Sequence, residues 1–147
     1  GITGYLLNVG GNVRSIGMAD ADKWKVGIEN PDTDNTEKPY IEFLKIAGES
    51  VVTSGSYQRF YIVDGKSYHH IIDPQTLMPG EKYRSVSVLT NDSGLGDAMS
   101  TALFIMDYEE GKELVESLEN VEAMWVLQDG TQLYSSSFEK YTFEYNK

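Results

Sequence analysis

The sequence predicts an α+β domain, a mainly antiparallel sheet built from hairpins with one clustered helical pair. Two observations carry this. Short runs rich in β-branched and aromatic residues meet at turn signals, among them Gly10-Gly11-Asn12, Asp64-Gly65 and Asp129-Gly130. Such pairs read as hairpins because glycine and Asx residues supply the left-handed backbone of a tight turn. Helical patterning, in contrast, is confined to roughly Asp97 to Glu119. Strands segregated from helices indicate α+β rather than alternating parallel units.

In chain order, Tyr5-Leu6-Leu7-Asn8-Val9 is a short apolar run ended by Gly10-Gly11-Asn12, and Val13 to Gly17 returns beside it. Gly-Gly also lets a ligand approach the backbone closely, although the hairpin is the plainer role. Lys25 to Ile28 is a further strand, and the polar stretch Asn30 to Pro39 is a solvated loop rather than a metal cluster. Tyr40 to Ala47, Ser50 to Thr53 and Tyr57 to Val63 carry strand alternation or strand composition. Lys66 to Ile72 returns after Asp64-Gly65, Pro74 and Pro79-Gly80 break the chain, and Arg84 to Leu89 is another strand. Asp107-Tyr108-Glu109-Glu110 has the form of a capping box opening a second helix, whose Leu114, Val115 and Leu118 would face the core. Val121 to Leu127 and Thr131 to Tyr134 make a late hairpin, and Thr142 to Tyr145 a last strand.

The 147 residues suit one domain with its own core. A net charge of −11 argues against a nucleic-acid partner, which needs clustered Lys and Arg, and against adhesion to an anionic membrane. No apolar run approaches the roughly 20 residues of a membrane span, so direct membrane insertion by this segment is not expected. With no cysteine, disulfides, thiolate metal sites and Cys nucleophiles are excluded, while either redox compartment stays open. An anionic substrate needs local relief from this acidic field, and a divalent cation supplies it. The sequence opens at Gly1 with no Met, secretion signal or lipidation signal, as expected of a processed chain or a piece of a longer protein.

Gly94-Leu95-Gly96-Asp97-Ala98-Met99-Ser100-Thr101-Ala102-Leu103 holds the clearest candidate site. Residues at i and i+4 share a helix face, so Asp97 and Thr101 can aim two oxygens at one point, as a hard cation requires. The alternative is purely structural. Asp97 then caps the helix through the N–H of Met99 or Ser100, and Thr101 bonds back to the carbonyl four residues earlier.

Tyr68-His69-His70-Ile71-Ile72-Asp73-Pro74 is the second candidate. Side chains alternate along a strand, so only one of the two histidines can serve a given site, and zinc-ligand spacing is absent. A histidine beside a cleft can act as general base, and otherwise both are edge-strand residues. Asp73 before Pro74 is a natural turn former. Thr53-Ser54-Gly55-Ser56-Tyr57 offers hydroxyls beside a glycine, but without a nucleophile elbow it reads as a small-residue turn. Gly10-Gly11-Asn12 lacks the spacing of a phosphate loop or dinucleotide fingerprint.

Four stretches, taken in order, resemble the ApbE family, the FAD:protein FMN transferases. They are Leu7-Asn8-Val9-Gly10-Gly11-Asn12, Thr53-Ser54-Gly55-Ser56-Tyr57-Gln58-Arg59, His70-Ile71-Ile72-Asp73-Pro74-Gln75-Thr76 and Asp97-Ala98-Met99-Ser100-Thr101-Ala102-Leu103. The resemblance implies an ApbE-like fold and Mg²⁺-dependent transfer of FMN from FAD to a Thr or Ser hydroxyl of an acceptor flavoprotein, with release of AMP. It implies Asp97 and Thr101 as magnesium ligands and His70 as the residue activating the acceptor hydroxyl. It also implies a flavin nucleotide lying against Ile71, Ile72 and Asp73, with Ser54 and Gly55 contributing to cofactor binding. FAD hydrolysis to FMN and AMP on the same site, or a non-catalytic flavin-binding or interaction domain, are the alternatives.

Two positions depart from the family pattern: Leu77 stands where glycine is frequent, and Ser56 where aspartate is frequent. The resemblance covers nearly the whole chain but only the C-terminal part of the family's length. The preceding half contributes FAD contacts and a further magnesium ligand, so this chain alone is expected to hold part of the active site. Family members commonly act outside the cytoplasmic membrane, often as lipoproteins. That implies an extracytoplasmic, membrane-anchored location, with the anchor in the preceding segment.

Overall fold

Where two extended runs meet at a glycine or Asx pair, the chain folds back on itself. The computed structural model describes residues 1–20 and 22–145. In it β1 (Tyr5–Val9) pairs with β2 (Asn12–Ile16), with Val9 opposite Asn12 across Gly10-Gly11. Both glycines take positive φ, 56° and 89°, the left-handed pair that a two-residue hairpin turn needs. β3 (Trp24–Glu29) and β4 (Tyr40–Ile46) form a separate ribbon, and β5 (Ser50–Gly55) follows. β6 (Phe60–Val63) and β7 (Lys66–His69) turn at Asp64-Gly65, again with both residues at positive φ. The short β8 (Ile72–Asp73) and β9 (Met78–Pro79) lead into β10 (Tyr83–Thr90). Helices α1 (Ser93–Ile105) and α2 (Tyr108–Glu116) come next, then β11 (Val121–Leu127) and β12 (Gln132–Tyr134).

The central sheet has six antiparallel strands in the order β1-β2-β5-β10-β11-β12. Alternation along its middle strands sends Val86, Val88 and Trp125 to one face, where they pack with Leu103, Phe104 and Val115 of the helices. Leu89, Met124 and Val126 point to the other face and meet Leu44, Ile46 and Phe138. Burial on both faces explains why β11 is apolar almost throughout. The strands and the helical pair make the predicted α+β architecture. Among the described residues, no helix is long and apolar enough to cross a membrane.

Several local expectations are corrected. Helix α1 begins at Ser93, not Asp97, and its cap is Asp92, whose Oδ1 accepts from the N–H groups of Gly94 (2.8 Å) and Leu95 (3.1 Å). Gly96 is therefore inside the helix, and packing is the reason. A Cβ there would come within 2.8 Å of Val52 Cγ2 and 3.1 Å of Thr90 Cγ2, so the glycine lets α1 lie close on the sheet.

Asp107 precedes α2 without making a side-chain cap bond, because its carboxylate pairs with Lys82 Nζ at 2.8 Å. Val115 is buried and Leu114 half-buried, but Leu118 lies past the helix end and is exposed. Tyr57 and Gln58 belong to a turn, and the run from Lys66 breaks after His69. Residues 142–145 form no ladder. A 3₁₀ turn, Phe138–Tyr141, precedes them, Thr142 makes a single bridge with Leu44, and Tyr145 stacks on Phe43 at 4.8 Å between ring centroids. That bridge, a bond from the Phe143 N–H to the Phe43 carbonyl at 3.1 Å and these ring contacts hold the segment where a full strand was expected.

Candidate functional site

Close packing at Gly96 sets the polar face of α1 over the end of β5. Ser54 points to the helix side of that strand, and its Oγ lies 2.9 Å from Ser100 Oγ and 3.4 Å from Thr101 Oγ1. Both helix hydroxyls also bond back to the Asp97 carbonyl, Ser100 at 3.1 Å and Thr101 at 3.3 Å. The carbonyl can only accept, so each hydroxyl donates to it and keeps lone pairs to accept with, Ser54 Oγ lying within reach of both. Ser100 is buried, whereas Asp97 and Thr101 are exposed. The back-bonding expected of Thr101 is present, while the capping expected of Asp97 is carried by Asp92.

The hairpin tip joins the same place. Gly11, Asn12 and Arg14 line a cleft of about 340 Å³ together with Leu7, Ser93 and Asp97. Asn12 Nδ2 donates to the Ser93 carbonyl at 3.3 Å, and Arg14 Nη1 donates to the Asn91 carbonyl at 2.6 Å. These bonds tie the hairpin to the start of α1. Gly55 follows Ser54 at the strand end, with the Tyr57 ring lying over it so closely that a Cβ would meet Cε1 at 2.5 Å.

The donor set suits magnesium in kind. Every candidate donor is a hard oxygen, and Asp97 carries the charge, its carboxylate having no ion pair or hydrogen bond among the described residues. No group of three or more His, Asp or Glu among those residues could hold a metal by itself. One carboxylate and a hydroxyl are compatible with Mg²⁺, which keeps several waters and takes phosphate oxygens from its substrate.

The histidine segment forms a second place, and no hydrogen bond among the described residues links it to the first. His69 is buried: its Nε2 meets the Gly80 carbonyl at 2.8 Å and its Nδ1 meets the Ile71 N–H at 3.3 Å. The carbonyl fixes Nε2 as donor and the amide fixes Nδ1 as acceptor, so both ring nitrogens are engaged. His70 is exposed, with Nδ1 3.3 Å from the Arg59 carbonyl. Nδ1 must donate there, which leaves the lone pair of a neutral ring on Nε2. Ile71 is in the core, its N–H given to His69 and its carbonyl to the Gly80 N–H at 3.0 Å. Ile72 is exposed, and Asp73 Oδ1 accepts from the Gln75 N–H at 2.8 Å, the turn role expected of it.

Thus Ser54, Asp97 and Thr101 come together, Gly55 faces the Tyr57 ring instead, and His70 to Asp73 stand apart from them. The sequence reading missed Ser100, Asn12 and Arg14 as parts of the site. Ser100 lies three residues after Asp97, and that helical spacing was its available signal. The long-range bonds of Asn12 and Arg14 had none.

The family profile described as "ApbE family" matches residues 1–125. A FAD:protein FMN transferase of Klebsiella pneumoniae (strain 342) is 37% identical over 132 residues, covering 89% of this chain and 40% of that protein. One from Treponema pallidum (strain Nichols) is 36% identical over 134 residues, with 84% and 36% covered. The crystal structure of the ApbE protein of Thermotoga maritima MSB8 superposes with a TM-score of 0.86 at 32% identity, over 96% of this chain and 45% of that one. The flavin transferase ApbE of Vibrio cholerae gives 0.75 at 28% identity, over 95% and 44%. The chain therefore spans 40% or less of the length of these two curated relatives.

Proposed function

Because this chain belongs to the ApbE family, we propose that it supplies part of the active site of a flavin transferase. The reaction moves FMN from FAD to a Thr or Ser hydroxyl of an acceptor flavoprotein and releases AMP. The observation that carries the reading is the placing of Ser54 Oγ 3.4 Å from Thr101 Oγ1, one helical turn from Asp97, while Thr53 and Asp97 share a cleft with the Gly10-Gly11 tip. Three of the four stretches behind the family resemblance thereby meet at one cleft.

Asp97 and Thr101 would hold Mg²⁺ there. When bound, the metal neutralises charge on the FAD pyrophosphate, which in phosphoryl transfer is the main chemical demand besides positioning. Ser100 and Ser54 fix the hydroxyl pattern behind Thr101. Gly10, with open space where a side chain would stand, lets a nucleotide approach the backbone at the hairpin tip. The acceptor oxygen forms its bond to the FMN phosphorus as the bond from that phosphorus to the AMP phosphate oxygen breaks. The acceptor proton passes to Nε2 of His70, the nitrogen left open by the Arg59 carbonyl.

The reading also holds that these residues are an incomplete site. Every residue of β1 is exposed, including Leu7 at 52% and Val9 at 64%, although the strand adjoins the cleft. A contiguous apolar edge of this kind is normally covered. The portion of the relatives that this chain lacks is the covering body we assign to it.

Because His70 is open to solvent, water can replace the acceptor hydroxyl, giving FAD hydrolysis. Incubation with FAD and Mg²⁺, with and without an acceptor domain, separates the two. Transfer gives an FMN-bearing acceptor, and release of free FMN unaffected by acceptor would favour hydrolysis instead.

A further inference from the structure

Between β8 and β9 the chain turns through residues 74–77, and Leu77 takes the left-handed conformation at φ 58°. That region suits glycine or asparagine and disfavours a side chain branched beyond Cβ. The turn gives Leu77 no freedom to leave it. Its N–H donates to the Asp73 carbonyl at 2.8 Å, the Gln75 N–H to Asp73 Oδ1 at 2.8 Å, and the Met78 N–H to Thr76 Oγ1 at 3.3 Å.

Among the described residues nothing compensates for the leucine. It is 76% exposed, so neither burial nor packing offsets its backbone. Ile72 and Met78 beside it are also exposed, at 48% and 45%. A local rule broken without return inside the fold points to a contact made outside it.

The surroundings identify that contact. His70 and Ile72 are exposed and alternate with buried His69 and Ile71, so both project outward from the same side of the chain. A hydroxyl brought to His70 by a polypeptide therefore arrives next to Ile72 and the turn behind it. Along the segment 70–78 Asp73 is the one acidic or basic side chain besides His70, and its Oδ1 is held by the Gln75 N–H. The patch favours apolar side chains over acidic or basic ones.

We propose that Leu77, with Ile72 and Met78, contacts the acceptor polypeptide flanking the modified hydroxyl and selects apolar residues there. This rests on His70 acting on the acceptor, and it makes Leu77 a specificity residue rather than a catalytic one.

The test uses the full-length protein and two fluorescent peptides with a central threonine, one flanked by Leu and Val, the other by Ser and Asn. Anisotropy titration gives the binding preference without FAD, and transfer kinetics with FAD and Mg²⁺ give KM for each peptide. The wild type should favour the apolar peptide by about tenfold or more, the scale of one buried apolar contact. Leu77→Gly and Leu77→Asn should bring that preference close to unity while KM for FAD holds and the melting temperature holds or rises, since both residues suit the left-handed backbone. Leu77→Met should keep it. Equal binding of the two peptides by the wild type, or an undiminished preference in both Leu77→Gly and Leu77→Asn, overturns the proposal. So does a preference lost only together with folding in every variant, Leu77→Met included. If the preference is present but neither peptide is ever flavinylated, the transferase reading fails and the contact stands.

Discussion

His69 donates from Nε2 to the carbonyl oxygen of Gly80 at 2.8 Å, and this bond separates the roles of two adjacent histidines. The ring of His69 also packs edge-on to Phe104, 5.5 Å between centroids. His69→Ala leaves a buried carbonyl and a buried N–H without partners and opens a gap in the core. The expected cost is about 2–4 kcal/mol in urea unfolding. His70→Ala removes an exposed ring and should change stability by no more than about 0.5 kcal/mol. It should nevertheless lower flavin transfer by about 10²–10⁴-fold if Nε2 accepts the acceptor proton.

Two aspartates divide in a similar way. Asp92→Ala removes the cap of α1 and should cost about 1 kcal/mol, with the magnesium requirement unchanged. Asp97→Ala breaks no bond within the described residues, so stability should hold within about 0.5 kcal/mol. The Mg²⁺ concentration for half-maximal transfer should rise. A destabilised Asp97→Ala with an unaltered metal requirement would return the residue to a structural role.

Gly96 is the contact on which the site depends. Gly96→Ala places a methyl 2.8 Å from Val52 Cγ2 and lifts α1 from β5. Overpacking of this kind costs about 1–3 kcal/mol. Because Ser54 reaches Ser100 and Thr101 across that gap, the variant should also weaken magnesium dependence at temperatures where it remains folded.

Gly96 also shows where sequence reading succeeds and where it stops. Strands with their own pattern and turn residues were legible, as β1, β11 and the Asp64-Gly65 hairpin show. The start of α1 was not, because Gly94 and Gly96 look like a loop while close packing on Val52 and Thr90 makes glycine useful inside the helix. The capping box at Asp107 failed because Lys82, far away in sequence, takes the carboxylate. The placing of Asp97 and Thr101 one turn apart on an exposed face of α1 was legible through their i, i+4 spacing. The approach of Ser54 was not, since it depends on how closely a helix lies on a strand 46 residues earlier than Ser100.

Two tyrosines predict the alkaline limit of the fold. Burial, and then the charge of Asp107, push Tyr83 from 10.0 up to about 12. Burial, and then Glu42, do the same for Tyr134. The folded state keeps protons that the unfolded chain releases near pH 10, so stability falls as pH rises. This contribution is complete below about pH 10 and is lost on approaching pH 12. Urea midpoints across that range should fall, and Tyr83→Phe should flatten the slope.

The central claim, that these 147 residues hold a necessary but incomplete part of a flavin transferase site, is tested by mass spectrometry of an acceptor domain after incubation with FAD and Mg²⁺. The comparison is between this chain alone and a polypeptide that also carries the remaining length of its relatives. The account predicts an FMN adduct with the longer polypeptide, its loss on Asp97→Ala, and little or none with the chain alone. Robust magnesium-dependent flavinylation by the isolated chain, or an adduct indifferent to Asp97, would contradict it.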